Sequence, residues 1–161
     1  MVILVMGVAG SGKSTIAHKL ADTLSWQYID ADDFHPLENI EKMRQGVPLT
    51  DCDRLPWLSL LQHMIETWLK SQQNVVLACS ALKASYRQML HVGQAGVQLV
   101  YLKGSNELLA ERIQQRHNHF MKLELLKSQL DVLEEPTTGI AIEISQTPEA
   151  IVQQVRQALR V

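Results

Sequence analysis

The chain's 161 residues suit one domain around one core, and a make-up of 46% hydrophobic and 20% charged residues excludes a disordered chain. A net charge of -2 with no strongly basic stretch gives no footprint for a phosphate backbone, so no nucleic acid is expected as a partner. Cys52 and Cys79 lack metal-ligand spacing and make a poor disulfide framework, which reads as two reduced thiols in a cytoplasmic protein.

The apolar opening, residues 2–6, lacks a cationic leader and is too short to cross a bilayer, so no membrane association is expected. It reads instead as a buried β-strand. Residues 14–24 carry apolar side chains at Ile16, Ala17, Leu20, Ala21 and Leu24, a helical spacing. Residues 27–30 form a short second strand. Residues 35–45 read as a helix that Gly46 stops. Residues 47–55 are polar and turn-rich, and a long amphipathic helix spans 56–72 with Pro56 in its first turn. A third buried strand at 75–79 is followed by a helix at 82–90. A fourth strand at 97–102 precedes a helix at 106–116. A helix over 123–133, a weak fifth strand at 140–144 and a closing helix at 148–159 complete the chain. This alternation predicts an α/β fold: a parallel sheet with helices on both faces and ligands at the strands' carboxyl rim.

Gly7-Val8-Ala9-Gly10-Ser11-Gly12-Lys13-Ser14 fits G-x-x-x-x-G-K-[ST] between a strand and a helix. Its glycines let successive N–H groups turn toward one anion. Lys13 adds charge for the β- and γ-phosphates, Ser14 can ligate Mg²⁺, and the helix start through Thr15 contributes its positive end. ATP and Mg²⁺ are therefore the expected cofactors. No Asn-Lys-x-Asp guanine reader is present, and residues 75–79 end in Cys79-Ser80 rather than a carboxylate, so neither a switch GTPase nor a motor-type ATPase is expected.

The acidic cluster Asp30-Ala31-Asp32-Asp33 follows the second strand. Strand alternation would turn Asp30 and Asp32 to one wall, with one carboxylate for the metal and the other to accept a hydroxyl proton. The alternative is an acidic turn that caps the next helix. Asp33 should point away from the pair.

At these residues the chain resembles the gluconate kinases, small P-loop metabolite kinases related to shikimate kinase. The resemblance covers almost the whole chain. It rests on the P-loop, on Asp30-Ala31-Asp32-Asp33-Phe34-His35-Pro36 with Asn39-Ile40 and Lys42-Met43, and on the block from Gly46 to Leu58. It extends through Ala78-Cys79-Ser80-Ala81-Leu82-Lys83 with Tyr86-Arg87, Tyr101-Leu102-Lys103-Gly104-Ser105, Arg112, Arg116, His119-Phe120-Met121 and Ser128-Gln129. Ala9, Asn118 and Leu130 depart from the family's usual Ser, Gly and Phe. The resemblance implies a three-layer P-loop kinase fold with a five-stranded parallel sheet. It implies phosphotransfer from ATP to the 6-hydroxyl of D-gluconate, with Mg²⁺, in a homodimer.

An anionic, hydroxyl-rich acceptor needs cations and hydrogen-bonding groups. Arg54, Lys83 and Arg87 lie in the blocks that the resemblance puts around the acceptor; Arg suits forked carboxylate recognition, and surface charge is the alternative reading. His35 can bond substrate hydroxyls or cap the following helix. Trp57 can line the pocket or belong to the core. Arg112 and Arg116 share a helix face suited to closing over a triphosphate. A lid over residues 117–135 is expected to carry Arg116 and His119 over the site. Lys13, Asp32 and Arg116 are the expected catalytic residues, and Ser14 and Asp30 the metal ligands. The competing readings are a kinase for another small hydroxy acid such as shikimate, and a nucleotide-binding regulator without catalysis.

Overall fold

β1 (Val2–Met6) is buried at every residue, because it lies at the centre of the sheet between two neighbours. In the computed structural model, which describes residues 1–115 and 120–161, all five strands are parallel. They are β1, β2 (Gln27–Asp30), β3 (Val75–Ala78), β4 (Val97–Lys103) and β5 (Ile140–Glu143), in the order β2-β3-β1-β4-β5. Val2 pairs with Val75 on one side and Val97 on the other.

The alternation of β1 divides the core into two layers. Ile3 and Val5 face a cluster with α1 (Lys13–Leu24), α5 (Asn106–Gln114), α6 (Phe120–Val132) and α7 (Pro148–Leu159). Val2, Leu4 and Met6 face a second cluster with α3 (Asp51–Lys70) and α4 (Ala84–Met89). Because α1 leaves β1 toward one face and α4 leaves β3 toward the other, a crevice opens between the carboxyl ends of these adjacent strands. Among the described residues, no helix is long and apolar enough to cross a membrane.

Two elements differ from the expectation. Residues 47–55 are not all turn: α3 starts at Asp51, and α2 (Leu37–Arg44) precedes it. Thr50 caps α3 reciprocally. Its Oγ accepts from the Asp53 N–H at 3.1 Å, and Asp53 accepts from the Thr50 N–H at 2.9 Å. Pro56 therefore lies inside the helix and forgoes the bond to the carbonyl four residues back. Second, β2 ends at Asp30 and residues Ala31–Phe34 make a 3₁₀ turn, so strand alternation does not orient Asp32.

Candidate active site

The glycine loop leaves the central strand and enters α1 at the crevice. Gly12 caps that helix at φ 88°, a left-handed conformation that glycine adopts without strain. A Cβ on Gly10 would stand 3.0 Å from both Ile113 and the Leu109 carbonyl, so α5 packs directly on the loop. The Val8 carbonyl accepts from the Ser11 N–H and from Lys13 Nζ, each at 3.2 Å.

Beside the loop, a groove of about 290 Å³ is bounded by Gly10, Gly12, Thr15, Arg112, Gln146 and Pro148. The Arg112 guanidinium donates to the Ile144 carbonyl, which holds it at the mouth of this groove. Its charge suits phosphates, and the apolar Pro148 and Ile151 side chains offer a surface for a nucleotide base.

Ser14 Oγ donates to Asp30 Oδ2 at 3.0 Å, and the Tyr28 hydroxyl donates to the same oxygen at 3.1 Å. A hydroxyl and a carboxylate this close form a hard oxygen pair. That pair fits Mg²⁺, which keeps several waters and takes phosphate oxygens as its remaining ligands. Among the described residues, no group of three or more His, Cys, Asp or Glu forms an all-protein metal cage. The other Asp30 oxygen accepts from the Asp32 N–H at 3.0 Å and caps the 3₁₀ turn. Asp30 thus serves the turn and faces Ser14 at once.

Asp32 stands at the open end of the crevice with a 71% exposed side chain. Partial desolvation and then the Asp30 carboxylate nevertheless raise its carboxyl above the ordinary range, against the pull of Lys13. His35 lies next to it, with Nε2 3.8 Å from Asp32 Oδ1 and a side chain only 5% exposed. Burial, then the Arg54 charge, lowers the His35 pKa to about 4, so the ring is neutral at physiological pH. Asn39 defines its tautomer. Asn39 Nδ2 donates to the Asp53 carbonyl at 2.8 Å and lies 3.4 Å from His35 Nδ1. Nδ1 is therefore the acceptor, and Nε2–H points toward Asp32.

Trp57 binds this corner to the core. Its indole N–H donates to the Ala31 carbonyl at 2.7 Å, and its ring stacks on His35. Asp53 is held down to about 2 by its bond from Lys42 and by the Thr50 N–H.

Arg54 rises from the first turn of α3. Its Nη1 donates to the Leu49 carbonyl at 2.7 Å and reaches the Tyr86 oxygen at 3.4 Å. Nε and Nη2 have no hydrogen-bond partner among the described residues, which leaves one edge of the fork for a ligand carboxylate. The Tyr86 hydroxyl donates to Asp51, and Lys83 Nζ donates to both Asp51 oxygens at 2.9 and 3.1 Å. The Tyr86 bond, then Lys83, lowers the Asp51 carboxyl. Arg87 differs from these cations. It is buried, and its Nη1 donates to the Ala81 and Leu82 carbonyls at 2.9 and 3.0 Å, bracing the loop after β3.

Lys13, Ser14, Asp30, Asp32 and His35 are thus linked through contacts or mutual charge, with Arg54 close enough to act on His35. Arg116 and His119 lie outside the described residues. Asn39, Tyr86 and Gln129 lie in the blocks that carry the family resemblance, but sequence reasoning assigned none of them a place in the site. Asn39 also lies four residues after His35, a helical spacing. Gln129, whose Oε1 accepts from the Ala9 N–H at 2.6 Å, is 120 positions away, and nothing in the residues themselves pointed to that contact.

The AAA domain family matches residues 2–136. The chain is 42% identical over 160 residues to the thermosensitive gluconokinase of Escherichia coli (strain K12), covering 97% of this chain and 86% of that protein. It is 46% identical over 134 residues to the gluconokinase of Gluconobacter oxydans (strain 621H), covering 83% and 75%. The crystal structure of a gluconokinase from Sinorhizobium meliloti 1021 superposes with a TM-score of 0.87 at 41% identity, covering 98% and 90%.

Proposed function

The chain belongs to the gluconokinase family, and on that premise we propose that its site transfers the γ-phosphoryl group of ATP to the 6-hydroxyl of D-gluconate. The observation that carries this reading is the meeting of a phosphate loop with the Asp32–His35 pair and the open edge of Arg54 in one crevice.

The loop amides and the start of α1 take up the phosphates, and Lys13 matches the charge that gathers on the β- and γ-groups. The groove at Arg112 and Pro148 receives the base, with Thr15 and Gly12 beneath it. Ser14 and Asp30 would hold Mg²⁺, which would neutralise phosphate charge during transfer. Arg54 pairs with the gluconate carboxylate through Nε and Nη2, and Lys83 adds positive charge beside it. At the other end of the acceptor, Asp32 receives the proton of the 6-hydroxyl. The hydroxyl oxygen bonds to the γ-phosphorus as the bond to the ADP oxygen breaks, and in this loose transition state its proton passes to Asp32 late. The neutral His35 ring turns Nε2 toward Asp32 at 3.8 Å, beyond direct hydrogen-bond distance but near enough to bound the space where the hydroxyl meets the carboxylate. A raised Asp32 pKa makes it a better proton acceptor than an ordinary carboxylate.

Arg116 and His119 extend the proposal as cations or donors over the phosphates, carried by a lid over 117–135. Arg87 enters it as the brace of the acceptor loop. A cytoplasmic homodimer is part of the same proposal. The reading is tested by mixing the protein with ATP, Mg²⁺ and gluconate and assigning the product by phosphorus and carbon NMR. A phosphate ester at carbon 6 is expected; no ester, or an ester elsewhere on the chain, would overturn it.

A further inference from the structure

Gln129 contacts the phosphate loop from α6, yet no step above uses it. Its Oε1 accepts from the Ala9 N–H at 2.6 Å. That N–H and the Val8 carbonyl belong to one planar peptide group. The carbonyl side accepts from Lys13 Nζ and from the Ser11 N–H, each at 3.2 Å. One rigid plane is therefore held from both sides: Gln129 grips its donor, and Lys13 and Ser11 grip its acceptor. Rotation of this peptide would break the Gln129 bond and withdraw the carbonyl on which Lys13 rests.

The position of Gln129 is itself built. Leu126, one turn earlier on α6, is 4% exposed in the core beside α5, and Leu130 and Leu133 pack on the same core. Beyond the helix, the Glu134 N–H donates to the Leu82 carbonyl at 2.9 Å, and its Oε2 accepts from the Ala84 N–H at 2.6 Å. The α6 segment is thus fastened at both ends of the crevice, and the half-buried Gln129 is carried on its inward face.

We propose that Gln129 is a positioning residue for phosphoryl transfer, fixing the Val8–Ala9 peptide so that the phosphate loop and Lys13 are aligned before ATP arrives. An interaction made in advance of the charge it serves costs no reorganisation when the ligand binds. The inference rests on the ATP-binding part of the proposed function. Because Gln129 acts through Lys13, its effect should depend on Lys13.

The test is titration calorimetry of a non-hydrolysable ATP analogue with wild type, Gln129→Leu, Lys13→Ala and the double variant, alongside thermal melts. Gln129→Leu should bind the analogue about 5- to 10-fold more weakly, the scale of one hydrogen bond. In the Lys13→Ala background the same change should cost less than about twofold, because coupled residues are not additive. Should Gln129→Leu fail to fold, Gln129→Met keeps the length without the carbonyl and carries the same expectation. Equal or tighter binding by the folded Gln129 variant, or full additivity with Lys13→Ala, would overturn the inference while leaving the kinase reading intact. Absence of analogue binding by the wild type would overturn both.

Discussion

The Trp57 indole lies on the His35 imidazole, with ring centroids 4.2 Å apart and planes 14° from parallel. The same indole donates to the Ala31 carbonyl at 2.7 Å, inside the turn that carries Asp32. One core side chain of α3 therefore sets both members of the Asp32–His35 pair. Trp57→Phe keeps the stack but leaves the Ala31 carbonyl without this donor. A stability loss of about 1–3 kcal/mol is expected in urea unfolding, with a fall in turnover that exceeds the change in ATP affinity. Turnover equal to wild type would show that the bond is structural only.

His35 makes the fold sensitive to acid. In the folded chain it titrates at about 4, below its ordinary 6.5, so the unfolded chain binds more protons between these values. Its contribution is complete above pH 6.5 and is lost as pH falls toward about 4. The lost stability is at most about 3.5 kcal/mol, at roughly 1.4 kcal/mol per unit. Urea unfolding at pH 7.5 and pH 5 should show a steeper acid loss for wild type than for His35→Gln. Parallel losses in the two proteins would remove His35 from the account.

Lys13→Ala should fold, since the half-buried lysine lies in the loop outside the hydrophobic core. Turnover should fall on the order of 100-fold or more, as expected for loss of one electrostatic partner of the transition state. A folded variant with near-normal turnover would contradict the assignment of the loop.

Asp30 and Asp32 should separate in a Mg²⁺ titration. Asp30→Asn alters the oxygen that faces Ser14, so its activity should need more Mg²⁺ and recover in part when metal is added. Asp32→Asn should lose roughly 100- to 10,000-fold in turnover, the range for a general base, with ATP-analogue affinity little changed and no rescue by metal. Rescue of Asp32→Asn alone would exchange the two roles.

A lid is expected over residues 117–135. Its described part bonds the phosphate loop through Gln129 and the Ala84 N–H through Glu134, two contacts that ligand binding should reinforce. Hydrogen exchange with and without an ATP analogue and gluconate should show added protection within this segment. Unchanged protection throughout would remove the lid.

Much of this arrangement was legible because it is local. The apolar run 2–6, the glycine loop and the spacing of residues 16–24 each carry their own physical signal, and the parallel sheet follows from alternating strands and helices, whereas the strand order β2-β3-β1-β4-β5 does not. The start of α3 was also written locally, in Thr50 and Asp53, but Pro56 masked it by resembling a first-turn proline. The fate of the cations was not local. Arg54 and Arg87 look alike in a sequence, yet one keeps an open fork edge and the other is buried on two carbonyls. That difference depends on how α3 and α4 meet the loop after β3. The Gln129 contact joins residues 120 apart, and only the folded chain brings them together.

The most direct test of the acceptor assignment compares steady-state phosphorylation of D-gluconate and D-glucose at saturating ATP and Mg²⁺. The two share a run of hydroxyls and a 6-hydroxyl, but only gluconate has a carboxylate to pair with the open edge of Arg54. A site built around a charged group penalises the ligand that leaves it unpaired. The expected kcat/KM ratio is at least about 100-fold in favour of gluconate, and it should collapse in Arg54→Met through gluconate alone. Equal efficiency on glucose would contradict the central claim.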